Sequence, residues 1–321
     1  MTEELEKSVK SLTREVKLLN KKLARSETNR AQAERMKDET DVLYETVLRQ
    51  VEAQKEEIEE GQAKLNDAFE VITGSITYAS RIQRSVLPDT TILDATLADH
   101  FIYWEPRDVV GGDIYWVDAW GEGILIILGD CTGHGVPGAF MTLIASGALD
   151  RAKTEVVEGD VENLIRRMHQ LIQLTLGQHK ETGESDDGME LGACFINGDL
   201  ESLVFTGAGF RLISLEDGEI EEYRGSKKGL GYCGIPFAQE YGSEVIEMRK
   251  GQRFYMTSDG LIDQVGGLKH RTFGRKRFKE ILLSLLDVPM IDHAGHLHKA
   301  LLDHQGTEIR RDDVSVIGFE V

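Results

Sequence analysis

The first 87 residues contain no proline and only two glycines, Gly61 and Gly74, and their apolar residues fall on a heptad seam. Leu5, Val9, Leu12, Val16, Leu19 and Leu23 advance by alternating steps of four and three, which keeps one apolar stripe on one side of a helix. The stripe weakens from Ser26 to Ala33 and resumes through Met36, Leu43, Val47, Val51, Ile58, Leu65, Ala68 and Ile72. Two consecutive steps of four, at Leu43, Val47 and Val51, form a stutter that locally unwinds a supercoil. The pattern predicts a helix on the order of 100 Å long. A lone helix cannot bury its own seam, so a parallel homodimer is expected. The alternative is an antiparallel hairpin broken near Ser26–Arg30, although no Gly or Pro marks a turn there.

Charge narrows the partners. The 321 residues carry 37 Lys and Arg against 56 Asp and Glu, a formal net charge of −19. Nucleic acid is not expected as a partner, because phosphate backbones are bound by clustered basic residues. An anionic membrane surface would also repel the chain. No apolar run approaches the roughly 20 residues of a membrane-spanning helix; Ile124–Leu128 is a strand's worth. The opening MTEELEKSVK lacks the apolar segment of a signal peptide. Cys131, Cys194 and Cys233 fit neither zinc nor disulfide spacing. A soluble, reduced, cytoplasmic protein without membrane insertion is the expectation.

Near Pro88 glycine becomes frequent and short apolar runs alternate with turn signals. Strands are predicted at 100–105, 113–120, 124–128, 191–197, 202–207, 211–216, 219–223, 243–248, 253–258 and 314–320. Helices are predicted at 138–154, 161–176, 275–286 and 291–304. Asp217-Gly218 is a hairpin signal, and the polar stretch 178–188 reads as a mobile loop. Two strand blocks separated by helices indicate an α+β fold.

The aspartates are the most informative residues. Asp113 closes Asp108-Val109-Val110-Gly111-Gly112-Asp113 and opens a strand. Asp130 follows an apolar strand and precedes Cys131-Thr132-Gly133-His134-Gly135. Asp259 ends a strand within Ser258-Asp259-Gly260, and Asp312-Asp313 precede the last strand. Asp beside Gly is ordinary turn chemistry at any one of these places. Four such strand ends converging at one edge would repel one another unless cations lay between them. Carboxylates are hard oxygen ligands, suited to Mg²⁺ or Mn²⁺ rather than Zn²⁺.

These motifs, in this order and spacing, resemble the metal-dependent serine/threonine protein phosphatases of the PPM (PP2C-like) superfamily. The bacterial stage II sporulation E and RsbU branch is the nearest in pattern. Ile82–Pro88 resembles the helix-to-domain junction of that branch. Ser258–Gln264 with Gly266-Gly267 and Phe273-Gly274 is similar to the subgroup that includes the biofilm regulator SiaA. The resemblance covers about residues 78–321 and leaves the heptad region outside. It implies a four-layer α/β/β/α sandwich of two antiparallel sheets behind a long N-terminal coiled-coil helix. The expected organisation is a coiled-coil dimerisation and signal-input helix (1–77), a linker helix (78–90) and a phosphatase domain (91–321).

The same resemblance implies two Mn²⁺ or Mg²⁺ ions per catalytic domain, activating a hydroxide that attacks phosphorus in line. Asp130 would bridge both ions, Asp113 and the main-chain carbonyl of Cys131 would serve the second, and Asp259 and Asp312 the first. Asp313 is the less favoured member of its pair. His134 is a candidate general acid, set against a purely structural part at the start of the following helix. Arg107 is a candidate phosphate contact or a plain surface residue. Cys131 lacks the phosphate cradle of a cysteine phosphatase. The implied substrate is a phosphoprotein of STAS type, such as an anti-sigma-factor antagonist, in a partner-switching pathway with an upstream activator.

Two other functions fit parts of the pattern. A non-catalytic coiled-coil scaffold with a phosphoprotein-binding domain is disfavoured by the intact aspartate set. A two-metal nuclease is disfavoured by the net charge and the lack of a basic channel. His293, His296 and His298 read as helix-face residues rather than a zinc site, and Trp104, Trp116 and Trp120 as packing residues. The basic cluster Lys269–Lys279 reads equally as a docking face for an acidic phosphoprotein or a solvated helix face.

Overall fold

The computed structural model describes residues 2–180 and 185–321. A single 85-residue helix, α1 (Thr2–Val86), runs unbroken through Ser26–Arg30, so the hairpin alternative does not hold. Compact packing divides the chain into residues 1–72 and 73–321. In the first unit the helix is dressed with i,i+4 ion pairs such as Arg30–Glu34 and Lys64–Glu60. Its heptad seam lies in solvent from Leu5 to Ile72.

The second unit holds the end of α1 and all other elements. They are α2 (Thr91–Thr96), β1 (Asp99–Glu105), β2 (Asp113–Trp120), β3 (Gly123–Cys131), α3 (Gly135–Glu155), α4 (Val161–Leu176), β4 (Met189–Ile196) and β5 (Ser202–Ala208). There follow β6 (Arg211–Glu216), β7 (Glu219–Arg224), β8 (Glu244–Glu247), β9 (Arg253–Thr257), α5 (Asp259–Asp263), β10 (Val265–Gly266), β11 (Arg271–Thr272), α6 (Gly274–Ser284), α7 (Met290–Gln305) and β12 (Val314–Glu320). Two five-stranded antiparallel sheets, β1-β12-β9-β6-β7 and β2-β3-β4-β5-β8, carry the fold, with β10-β11 a small extra ribbon.

Strand β3 shows how one sequence serves two cores. Ile124, Ile126 and Leu128 point between the sheets, where they meet Leu212, Phe254, Met256, Ile317 and Phe319. Leu125 and Ile127 point outward, under α3 and α4. A strand covered on both faces needs this unbroken apolar run. A third apolar layer packs α6 and α7 on the outer face of the other sheet through Phe278, Leu282, Met290, Leu297 and Leu301. Three apolar layers between four structural ones are the α/β/β/α sandwich that the resemblance implied.

Local chemistry sets the element ends. Asp160 caps α4 by accepting the Asn163 N–H (3.2 Å), and Gly177, at φ 72°, closes it. Asp217 and Gly218 both have positive φ (48° and 80°), as a tight β6–β7 hairpin requires. The structure differs from the sequence reading near the aspartates. Strand β3 runs on through Asp130 to Cys131, whereas β9 stops at Thr257 and Asp259 instead opens α5. The mobility expected of 178–188 concerns in part residues 181–184, which lie outside the described residues. At either side Gln178 is buried and fastens Ser185 and Asp187.

Candidate metal centre

Strand register brings the first carboxylates together. Asp113 stands directly opposite Asp130 across β2–β3, and Asp130 stands opposite Glu190 across β3–β4. Residues directly opposite share a face with Cβ atoms about 5 Å apart, and like charges there repel. Asp130 has the parity of Ile126 and Leu128, so this row faces the gap between the sheets. From the other sheet, β9 and β12 pair antiparallel, with Thr257 opposite Val316. The C-terminal end of β9 and the N-terminal end of β12 therefore share an edge, which places Asp259 beside Asp312.

Burial makes this convergence costly. Asp113 is 2 % exposed, and its Oδ2 accepts the hydroxyls of Ser258 (2.7 Å) and Ser315 (2.6 Å). Desolvation nevertheless pushes its pKa up to about 8, opposed by the two hydroxyls and reinforced by Asp313 and Asp312. Asp130 is held well above the usual carboxylate range by burial and by Asp113, Asp259, Asp312 and Glu190. Partial desolvation raises Asp259, aided by Asp312 and Asp263, and raises Glu190, aided by Asp259, although both side chains keep an exposed side. None of these carboxylates has an ion-pair partner among the described residues.

The donor set fits a divalent cation bound partly through water. Among the described residues no group of three or more His, Cys, Asp or Glu side chains is drawn close enough to hold a metal ion by itself. Mg²⁺ and ions like it use one or two carboxylates each and keep several waters, so a spread set of hard oxygens suits them. Softer metals are disfavoured at this centre. The thiol next to Asp130, Cys131, is buried, and burial with the adjoining aspartates keeps it protonated.

The glycine-rich loop before Asp113 is clamped from two sides. Asp313 is buried and accepts the Arg107 N–H at Oδ1 and the Gly112 N–H at Oδ2, each at 2.6 Å. Gln83, near the end of α1 and 2 % exposed, donates to the Gly111 carbonyl (2.6 Å) and to Thr142 Oγ1 (3.2 Å). Its Oε1 accepts the Gly111 N–H (3.2 Å). A Cβ at Gly112 would strike the carbonyl oxygens of Gly133 and Cys131, so no other residue fits there. Trp104 donates its indole N–H to the Asp113 carbonyl (2.9 Å).

The sequence-derived residues divide accordingly. Asp113, Asp130, Asp259 and Asp312 are brought together, and the Cys131 carbonyl lies against Gly112. Arg107 donates one guanidinium N–H to the Arg311 carbonyl (3.0 Å) and its backbone N–H to Asp313. His134 is the N-cap residue of α3, and its Nδ1 lies 3.3 Å from Asp108 Oδ2. His293 is buried, His298 contacts Glu105 and His296 faces solvent, so the three share no ligand point. Trp116 and Trp120 are core residues. Glu190 lies outside every motif read from the sequence, whereas Gln83, Ser258, Ser315 and Arg275, which helps lower Asp259 and Glu190, lie within segments whose individual residues the sequence assigns no role. Glu190 and the serines reach the site through pairings between distant strands, which no local spacing reveals.

The chain is similar to known proteins in sequence and fold. Residues 121–321 match the family described as stage II sporulation protein E. The SiaA-PP2C domain of Pseudomonas aeruginosa is 34% identical, with a TM-score of 0.71, covering 79% of this chain and 98% of that one. The RsbU and RsbW domains of a Mycobacterium tuberculosis protein are 17% identical with a TM-score of 0.55, covering 70% of this chain and 60% of that one. The catalytic domain of the serine/threonine phosphatase PstP, solved with two manganese ions, is 18% identical with a TM-score of 0.50, covering 69% and 96%. The last two likenesses are of fold. No curated protein matches the chain.

Proposed function

We propose the following reaction for this chain, which belongs to the stage II sporulation protein E family of PPM-type protein serine/threonine phosphatases: hydrolysis of phosphoserine or phosphothreonine on a partner protein, with divalent cations held by Asp113, Asp130, Asp259 and Asp312. The observation that carries it is the convergence of these carboxylates, Asp113 buried and Asp130 and Asp312 half-buried, at the common edge of both sheets without an ion-pair partner among the described residues. When bound, Mn²⁺ or Mg²⁺ supplies Lewis-acid polarisation of water and of the phosphoryl oxygens. The chain's own residues hold the frame. Ser258 and Ser315 fix one oxygen of Asp113, which leaves its orientation independent of the ion. Asp313 and Gln83 keep the loop before Asp113 closed on the 131–133 turn. Cys131, buried and protonated, takes no part as a nucleophile.

Two ions per domain, with the Cys131 carbonyl among the ligands, is the stoichiometry we favour. His134, half-exposed, has its Nδ1 3.3 Å from Asp108 Oδ2, which leaves Nε2 free for the general-acid role in this reading. A STAS-type phosphoprotein in a partner-switching pathway is the favoured substrate, supported by family membership alone. The exposed seam of residues 5–72 supports a homodimer through a coiled coil. Light scattering of the full chain should return twice its 35.9 kDa mass; a monomer at micromolar concentration would sink that part.

The activity test is hydrolysis of p-nitrophenyl phosphate and of a phosphoserine peptide with Mn²⁺, with Mg²⁺ and with chelator. Metal-dependent turnover that Asp130→Asn abolishes is expected. Equal rates with metal and with chelator, or an active Asp130→Asn, would overturn the reading.

A further inference from the structure

The basic cluster at Lys269–Lys279 is not one surface. Lys279 is committed to Glu222 (2.8 Å), and so is Arg211 from the neighbouring strand (3.2 Å). Arg277 lies over the Phe273 ring at 5.4 Å and against His304. Lys276 faces Glu280 one turn on (3.8 Å). Lys269, Arg271 and Arg275 are exposed and have neither a side-chain hydrogen bond nor an ion pair among the described residues, and of the three it is Arg275 that lines a cleft.

Its position is nonetheless well set. Phe273 and Phe278, both buried, anchor the start of α6 on the outer face of the β1-β12-β9-β6-β7 sheet. Arg275 stands between them in sequence and lines a cleft together with Glu190, Ser258, Asp259 and Ile262. That cleft has water-accessible space of about 50 Å³, room for a few waters or one small oxyanion. Arg275 is close enough to lower the pKa of both Asp259 and Glu190, yet it closes on neither within 4 Å. A guanidinium held near a carboxylate-lined centre without pairing has its planar fork free for a doubly negative oxyanion.

We propose that Arg275 is the phosphate-recognising side chain of this centre, taking non-bridging oxygens of the substrate phosphoryl group from the α6 side of the cleft. The inference rests on the phosphatase reading and deepens it. It also moves the anion contact away from Arg107, one of whose guanidinium nitrogens is engaged by the Arg311 carbonyl. A charge-assisted bidentate contact of this kind changes affinity roughly ten- to a hundredfold.

The test compares the wild type with Arg275→Ala, Arg275→Lys and Arg271→Ala, all full length and Mn²⁺-loaded. Arg271 is a nearby exposed arginine outside the cleft. Arg275→Ala should raise KM for p-nitrophenyl phosphate and weaken inhibition by inorganic phosphate about tenfold or more. Its kcat should stay within about threefold and its melting temperature should not move. Arg275→Lys should recover part of the affinity, and Arg271→Ala should match the wild type. An unchanged KM together with a lower melting temperature or weaker Mn²⁺ binding would mean that Arg275 only offsets carboxylate repulsion, and would overturn the proposal. A matching KM increase in Arg271→Ala would overturn it too, since the effect would then be a diffuse basic field. Calorimetric titration with inorganic phosphate reads the contact without turnover: equal affinity of wild type and Arg275→Ala, or no binding to either, defeats it. Wild-type turnover alongside that result would leave the phosphatase reading standing; absent turnover with metal would strike that reading separately.

Discussion

Asp312 and Asp313 are adjacent but do different things. Both oxygens of Asp313 are taken by the backbone N–H groups of Arg107 and Gly112, inside the protein. In Asp313→Asn one of those N–H groups would face an NH₂ group, at a cost of about 1–3 kcal/mol. A drop of several degrees in melting temperature is expected, with or without metal. Asp312 is half-buried, and among the described residues its carboxylate accepts one hydrogen bond, from the Asp313 N–H (2.9 Å), which Asn could also accept. Asp312→Asn should leave the metal-free melting temperature unchanged or higher while reducing Mn²⁺-dependent turnover at least about a hundredfold. The reverse pattern would exchange the two assignments. His169 offers a test away from the centre. Its Nδ1 accepts the Gly231 N–H and its Nε2 donates to the Pro236 carbonyl, both at 3.0 Å, so the folded ring is neutral. Burial lowers its pKa below the ordinary 6.5. Below that pH the unfolded chain binds the proton more readily than the folded one, so this contribution is complete above about 6.5 and falls with pH. The stability gap between wild type and His169→Gln, from denaturant unfolding in chelator, should narrow from pH 7.5 to 5.5. A constant gap would show that the ring is not held neutral.

At the scale of elements, the final turns of α1 act as a wedge. Gln83 spans the loop at Gly111 and the hydroxyl of Thr142 on α3, and so ties two elements that border the carboxylates. Gln83→Ala should lower kcat about tenfold or more, with little change in KM, because Gly111 lies two residues from Asp113. Arg81→Ala, on the exposed side of the same helix, should behave as wild type. Equal kcat in wild type and Gln83→Ala would show the wedge to be packing alone. Much of this architecture is legible from the residues. Strands β2, β6 and β12 and helix α4 lie where alternation, the Asp-Gly turn and helical periodicity put them. Each has a long, strongly patterned run. The helix α5 does not announce itself, because five residues are too few to show a period, and Ser258-Asp259-Gly260 reads as a turn. Asp113 and Asp130 are recognisable because each sits in a local motif. The Asp130–Glu190 pairing and the serine hydroxyls on Asp113 depend on strand register across 60 and 145 or more residues of chain.

Over the whole molecule, the centre is where the two sheets are joined at their shared edge. Between the sheets the contact is apolar, through β3 on one side and β9 and β12 on the other. At the edge it becomes a face-off of carboxylates, Asp113 and Asp130 from one sheet against Asp259 and Asp312 from the other. The metal-free fold therefore carries repulsion just where its layers close, and a cation bound there would turn that repulsion into a cross-link. A ligand that binds only the folded state adds about 2.7 kcal/mol at a hundredfold excess over Kd. For a domain of this size each kcal/mol is worth about 2–4 °C. Saturating Mn²⁺ should then raise the melting temperature of the full chain by roughly 5–10 °C over chelator. Asp130→Asn removes the carboxylate with the most neighbours, so it should melt higher than wild type in chelator and respond little to Mn²⁺. Those two shifts have opposite signs and one cause. If Asp130→Asn instead melts lower in chelator and still gains stability with Mn²⁺, the carboxylate edge is not where the ion binds.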